Sequence, residues 1–554
     1  MRIILGVRMR IYIEKKPVEV PEGTLLSKLA EQQADGGKIL LAKVDGKIRE
    51  LHHAVHAGDD VQFLTVLDKS GYEAMRRTLS MVFFAAVDDV LGEAAKTTLH
   101  FTVGDGLFFT IGSREKIDDE ICERICRKMK SLIDEDLPIR KRSFSVRAAR
   151  ELFRVRGMAD KEALFKTRLP DLVNVYFLGS YADYQAGFLA PSTGAAGDFS
   201  LIPYEDGVLL LTPGWKSDGA IRMPAPQPQF FHHQRLGEEW VERRGVGTAG
   251  ELNELLVRMG ARGAILVSEA DQERRISDIA EEIVRRKDVR FALIAGPSSS
   301  GKTTFSQRLC VQLVAHGVRP HYIGTDNYFI DRDKMPVEKD GSKDYEGLGA
   351  IALDVFVRDM KTLLTGGTIS LPKFDFITGK RMDSGIKLAL GERDVLLIEG
   401  IHGLNDALTG AIPKESKFKI YVSALTQLNI DNHNHIPSSD GRLLRRIVRD
   451  HLTRGYTADA TLRMWESVRK GEHVNIFPFQ ETVDAFFNSS LPYEPGVLRA
   501  YVEPLLFQVP ESSPVYIEAR RLLKFLNYFL CIPGDDVPTN SILREFIGGG
   551  SFRG

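Results

Sequence analysis

One run constrains this chain more than any other: Phe291-Ala292-Leu293-Ile294-Ala295, then Gly296-Pro297-Ser298-Ser299-Ser300-Gly301-Lys302-Thr303-Thr304. The five small apolar residues read as a buried strand. The stretch from Gly296 to Thr303 fits G-x-x-x-x-G-K-[ST], and TTFSQRLCVQLVAHG continues as an amphipathic helix with Gly317 as its stop signal. A glycine turn between strand and helix would meet the pattern in its blandest form. The chemical reading is a nest of backbone N–H groups at a helix N-terminus, able to cradle the phosphates of ATP. Gly296, Ser298, Ser299, Ser300, Gly301, Lys302, Thr303 and Thr304 would line it. Lys302 would neutralise phosphate charge, and the Thr303 hydroxyl would ligate Mg²⁺. Such a unit belongs to a parallel sheet, and residues 286–510 alternate strands with helices accordingly.

Two acids and a basic helix refine this. VLLIEG at 395–400 is a second apolar strand, and its Glu399 could complete the Mg²⁺ shell or cap a helix. HYIGTDNYF at 321–329 places Asp326 at the end of the next strand, where ligand crevices open in doubly wound sheets. A carboxylate there can orient and deprotonate a hydroxyl for in-line attack; an Asx turn is the plain alternative. In DGRLLRRIVRDHLTRG at 440–455, Arg442, Arg446 and Arg449 fall on one helical face, with Arg445 adjacent and Arg454 just past the helix. The row suits a lid that clamps a transferring phosphoryl group, or a solvated face.

With 554 residues the chain exceeds one hydrophobic core, and three or four domains are expected. A net charge of −1 argues neither for nucleic acid nor for an anionic membrane. Only four cysteines occur; Cys122 and Cys126 share a helical face without a second zinc-ligand pair, which reads as packing. Few cysteines, no signal peptide and no long apolar run predict a cytoplasmic protein without a membrane span. Residues 1–66 read as a small α+β module with a hairpin over Asp45-Gly46. Residues 67–225 mix helices (70–91, 117–136, 143–157) with strands, including a hairpin over Gly104-Asp105-Gly106. A proline-rich hinge and helical linker at 226–285 precede the α/β domain, and 511–554 form a helical tail.

Residues 290–490 resemble the uridine kinase/phosphoribulokinase family of P-loop kinases, on GPSSSGKTT, TDNYF, LPKFDF with GKR, and IEGI before the arginine helix. The resemblance implies Asp326 as catalytic base and Glu346 as the acid that holds ribose hydroxyls. It further implies phosphate or substrate contacts from Arg446, Arg449 and Arg454, with Lys302 in catalysis. Phe374 and Phe376 fall on the substrate-binding segment. There are departures: Phe374 stands where uridine kinases have Tyr, Gly379 where they have a base-reading His, and Tyr456 where the lid has another arginine.

Residues 1–66 resemble a TGS domain, and 67–225 resemble the second additional (editing) domain of threonyl-tRNA synthetases. Aligning RRTLSM and ADYQAGFLAPSTG with that module's metal motifs puts Arg77, Met81, Gln185 and Leu189 at its ligand positions. None of these side chains suits Zn²⁺, so the resemblance implies the fold without the editing site. The expected whole is a multi-domain α/β, ATP- and Mg²⁺-dependent kinase that phosphorylates the 5′-hydroxyl of a nucleoside, uridine or cytidine. The alternatives are a kinase of another sugar or phosphosugar alcohol, and a nucleotide-switched RNA- or ribosome-binding protein; a homo-oligomer stays open.

Overall fold

The computed structural model describes residues 8–33, 38–337, 343 and 347–552. Three sheets and a set of helices precede the phosphate loop. Residues 8–64 form a five-stranded mixed sheet in the order Lys16–Pro21, Arg8–Ile13, Asp60–Leu64, Leu41–Val44, Lys47–Glu50. The short helix Leu26–Ala30 packs Leu26 and Leu29 onto it. The expected hairpin is present: Val44 pairs with Lys47, and Asp45 and Gly46 both adopt positive φ, as a two-residue primed turn requires.

The next module is built on the helix Lys69–Leu91, hydrophobic nearly all round and buried from Thr78 to Val87. It packs against a four-stranded antiparallel sheet, ordered Ser200–Tyr204, Gly207–Leu211, Gly106–Gly112, Lys96–Val103. The expected hairpin over Gly104-Asp105-Gly106 joins neighbouring strands here, as does a turn at Glu205-Asp206. The helix predicted over 143–157 begins later. Arg140–Ser145 is a strand of a second, three-stranded sheet, and Val146–Val155 is helical with Ser145 as N-cap. Alternating polar and aromatic residues in RKRSFS satisfy the strand period, and the serine then starts the helix.

The proline-rich hinge is shorter than its composition suggests, because Pro228 opens the helix Pro228–Glu242 from its first turn. With Ala249–Met259 and Ala261–Arg285, this linker contributes Trp240, Leu252, Ile276 and Ile283 to one core shared with the phosphate-loop sheet. The tail contributes Leu522, Phe525, Ile542 and Phe546 to that same core.

The sheet around the loop is fully parallel, in the order Arg319–Gly324, Asp394–Glu399, Phe291–Ala295, Lys417–Ser423, Ala485–Asn488. A separate antiparallel hairpin, Ile369–Asp375 with Lys380–Leu388, stands beside it.

The front modules are welded to this domain by buried charge. Lys161 is fully buried, with its Nζ 3.5, 3.3 and 3.4 Å from carboxylates of Asp160, Asp183 and Asp431. His433, from the loop after Lys417–Ser423, stacks on Phe84 at 3.8 Å and bonds Asp183 (2.8 Å) and Thr97 (3.1 Å). Asn434 next to it accepts from Ala186 N–H at 2.7 Å. Among the described residues no helix is long and apolar enough to cross a membrane.

Candidate active site

The strand Phe291–Ala295 is completely buried, and the loop leaves its C-terminal end. Gly296 is obligatory, since a Cβ there would lie 1.8 Å from the Val422 carbonyl oxygen. Ser299 (φ +58°) and Gly301 (φ +82°) take left-handed backbone, the conformation that turns successive N–H groups into a nest. Lys302 opens the helix Lys302–Ala315 and folds back to donate to the Pro297 carbonyl at 3.2 Å.

Sheet register brings the acids to the loop. Ile294 pairs with Glu399, and Glu399 with Gly324, so three strand ends lie side by side. The Thr303 hydroxyl donates to Glu399 Oε2 at 3.3 Å, and the Tyr322 phenol donates to the same oxygen at 2.7 Å. Burial pushes the Tyr322 phenol up, and Glu399, Asp326 and Glu545 push it further, so it stays protonated and donating. Asp326 is exposed in the 3₁₀ turn Thr325–Tyr328, directly past the strand Arg319–Gly324. The turn approaches so closely that a Cβ at Gly400 would sit 1.8 Å from Thr325 Oγ1.

The arginine helix, Ser438–Arg454, is part of the core rather than a detached flap, and its row divides into two jobs. Arg442 and Arg445 brace the loop from behind. Arg442 donates to Ser298 O (3.2 Å) and pairs with buried Glu472 (2.5 and 2.9 Å), whose Oε1 accepts from Ser298 N–H at 2.9 Å. Arg445, fully buried, forks onto Glu494 (2.5 and 2.6 Å) and reaches Ser489 Oγ (3.1 Å). Ser489 Oγ in turn donates to the Ser300 carbonyl at 2.5 Å. Arg446 donates to Ser298 Oγ at 2.7 Å and lies 3.2 Å from Asp450. Arg449 and Arg454 share that same buried Asp450, at 3.0 and 3.3 Å. Burial and the Arg449 charge lower the Arg454 guanidinium, while Asp450, Tyr456 and Asp326 oppose them, so Arg454 lies within electrostatic reach of Asp326.

Beside the turn Thr325–Tyr328, Phe374 is buried and Phe376 exposed, their rings edge to face at 5.1 Å and both beside Phe329. Asn327, next to Asp326, accepts from Phe374 N–H at 3.4 Å. Gly379 has φ +69°, and a Cβ there would lie 2.8, 2.9 and 3.1 Å from Cβ, Nε and Cζ of Arg332. An arginine thus fills the space beside the position where the family resemblance expects a histidine. Arg332 Nε and Arg381 Nη1 are buried without a hydrogen-bond partner among the described residues. Glu346 lies outside the described residues.

Sequence reasoning missed Glu472, Glu494, Ser489, Tyr322, Arg332 and Glu545. Apart from Tyr322, which lies in the quoted stretch 321–329, their positions depend on distant packing, and no local motif marks them. In the front module, the four positions aligned with metal ligands are engaged otherwise. Arg77 pairs with Glu73 at 2.9 Å, Met81 and Leu189 are buried, and Gln185 donates to Asp183 at 3.0 Å.

Known proteins resemble the chain along the same division. A uridine kinase of Staphylococcus aureus (strain JH9) is 27% identical over 180 residues, covering 32% of this chain and 77% of that protein. Among solved structures, a possible uridine kinase from Bacillus stearothermophilus is 21% identical with TM-score 0.23, covering 27% of this chain and 79% of that one. D-glycerate 3-kinase from Cryptococcus neoformans var. grubii is 12% identical with TM-score 0.27, covering 36% and 87%. At such TM-scores neither structural likeness carries weight. The family model described as phosphoribulokinase/uridine kinase matches residues 292–491, the span that holds the loop, both acids and the arginine helix, and this C-terminal segment is a P-loop kinase domain of that family.

Proposed function

We propose that the protein is an ATP-dependent kinase that transfers the γ-phosphate to the 5′-hydroxyl of a nucleoside, uridine or cytidine. The observation that carries this reading is the convergence of the loop, Thr303–Glu399 and Asp326 at three adjacent strand ends. Loop N–H groups and Lys302 bind the donor's phosphates. Thr303 and Glu399 offer hydroxyl and carboxylate oxygens 3.3 Å apart, a hard donor set that fits Mg²⁺, and these two residues would hold it. When bound, the ion neutralises charge on the β- and γ-phosphates. Asp326 accepts the proton of the attacking hydroxyl, and its exposure leaves it open to an incoming acceptor. Arg454, with Arg449 beside it, meets charge that spreads over the transferring group. Glu346 is kept as the residue for the acceptor's ribose hydroxyls, and Phe374 and Phe376 as the wall against its base.

A specific observation favours a second reading, an acceptor alcohol that already carries a phosphate or carboxylate. Arg332 occupies the space beside Gly379, and Arg332 Nε and Arg381 Nη1 are buried donors without partners among the described residues. A neutral base gives such donors less than an anion would. Coupled ADP-release assays over nucleosides, pentoses and pentose phosphates separate the two. Turnover of uridine or cytidine alone supports the first; turnover of a phosphosugar and of no nucleoside replaces it with the second; no turnover with any alcohol refutes both.

The front half is read as a TGS-like module followed by an editing-like fold that serves as scaffold. This reading is supported by Gln185, whose partner Asp183 belongs to the charge cluster joining the two halves.

A further inference from the structure

Glu545 sits in the short helix Arg544–Ile547, outside the segment 292–491 and 241 residues beyond its partner Thr304. Its Oε2 accepts from Thr304 N–H at 3.1 Å and from Thr304 Oγ1 at 2.9 Å. Thr304 lies in the first turn of Lys302–Ala315, where N–H groups have no partner inside the helix and an anion is favoured. A nucleotide phosphate seeks the same kind of donor.

The carboxylate is delivered there by a packed segment. Ile542 is fully buried, with its Cγ2 2.4 Å from where a Gly301 Cβ would stand. Phe546 is buried beneath the Arg445 guanidinium at 5.0 Å, and Ser541 Oγ donates to Glu269 at 2.5 Å. The acid on the loop's other backbone N–H differs in kind from Glu545. Glu472, on Ser298 N–H, is neutralised by Arg442, whereas Glu545 makes no ion pair among the described residues. Glu545 also bears on the Tyr322 phenol together with Glu399 and Asp326. Its charge therefore stands uncompensated beside donors suited to a polyanion.

We propose that Glu545 gates the nucleotide site: an intramolecular anion competes with nucleotide phosphate for the Thr304 donors, so the C-terminal segment sets the affinity of the loop. This rests on the reading of the loop as a nucleotide site. The side chain is half-buried on a fixed backbone, so a rotamer change alone releases the donors without unpacking Ile542 or Phe546.

The test is calorimetric titration of the full chain, wild type and Glu545→Gln, with ATP, ADP and adenosine. Glutamine keeps an acceptor for Thr304 and removes the charge. ATP and ADP should bind E545Q about tenfold more tightly, from one lost like-charge contact at the phosphates. Adenosine affinity should stay the same. Glu545→Ala should act in the same direction, with a thermal melt confirming that both variants fold. Unchanged or weaker ATP binding overturns the gate and makes Glu545 a plain helix cap or a nucleotide-holding residue. An equal gain for adenosine also overturns it. If neither wild type nor variant binds a nucleotide, the reading of the loop falls and the gate with it; normal wild-type binding with an indifferent variant removes the gate alone.

Discussion

Replacing Lys161 by methionine tests whether the two halves of the molecule are one cooperative unit. Its fully buried ammonium lies within 4 Å of three carboxylates, Asp160, Asp183 and Asp431, and His433 is the further basic group paired with Asp183. Burial opposes the Lys161 charge, but those three acids outweigh it and raise its affinity for the proton. Asp183 responds in kind: burial alone would lift its pKa, yet His433 and Lys161 hold it down at about 2, against an ordinary 3.8. Asp431 is the exception, with burial winning and pushing it up. Methionine matches the length of the lysine stem but leaves buried carboxylates without their cation. Removing one partner of a buried pair costs about 3–5 kcal/mol. In urea, followed by the three tryptophans, the variant's midpoint should fall accordingly in a single transition, because the cluster spans both halves. The acid limb carries a second signature. Asp183 is depressed in the folded state, so its contribution is present above about pH 4 and disappears as pH falls toward 2. Without Lys161 the folded-state value moves back toward 3.8, so that acid loss should be smaller and complete at higher pH. A midpoint change worth less than about 1 kcal/mol, with an unmoved acid limb, would refute the account of the cluster as a paired weld.

Asp326→Asn should lower turnover by about 10²–10⁴-fold while ATP affinity stays within a factor of two or so, since the carboxylate acts on the acceptor; lost ATP affinity with normal saturated turnover would show the role misassigned. Glu399→Gln should raise the Mg²⁺ concentration for half-maximal turnover by roughly tenfold, because Thr303 loses a charged neighbour at 3.3 Å. Gly296→Ala should abolish nucleotide binding in titration, as its Cβ would lie 1.8 Å from the Val422 carbonyl. Arg332→Ala should raise KM about tenfold for an anionic acceptor and leave a neutral nucleoside nearly unaffected, which steady-state kinetics on both acceptor classes would read.

The donor half of the site was legible because its chemistry is local. A phosphate nest needs glycine and small residues within one loop, and its lysine and threonine come in the next two positions, so a single stretch of sequence holds the whole device. Asp326 and Glu399 were legible for a related reason: acids at strand ends land together whenever the sheet is parallel, whatever their separation along the chain. The arginine helix was legible as a charged row but not in its division of labour. Helical spacing groups Arg442 with Arg446 and Arg449, whereas partner acids sort them: Glu472 and Glu494 draw Arg442 and Arg445 behind the loop, and Asp450 gathers the others. Asp450 lies on the arginine helix itself, but Glu472 and Glu494 arrive from other helices that no motif links to the loop.

The acceptor side was illegible for a stronger physical reason. Gly379 reads in sequence as the loss of a base-reading side chain, hence as a gap. In the fold it is a filled position: the missing Cβ lets Arg332, from another segment, approach to within what would be 2.8 Å. Glycine's message there is the identity of its neighbour, which only tertiary structure supplies. The same reasoning applies to Gly301, where the space against Ile542 admits the C-terminal segment and with it Glu545. Both glycines therefore mark places where remote parts of the chain enter the kinase domain. On the readings proposed above the two places would control different things: Arg332 which alcohol is accepted, and Glu545 how tightly the phosphate donor is held. Substituting either glycine should perturb its own function first, so Gly379→Ala should alter acceptor KM before ATP affinity, and Gly301→Ala the reverse. A common loss of both in either variant, in the same kinetic and calorimetric measurements, would mean that the loop and the acceptor wall fold as one element rather than two.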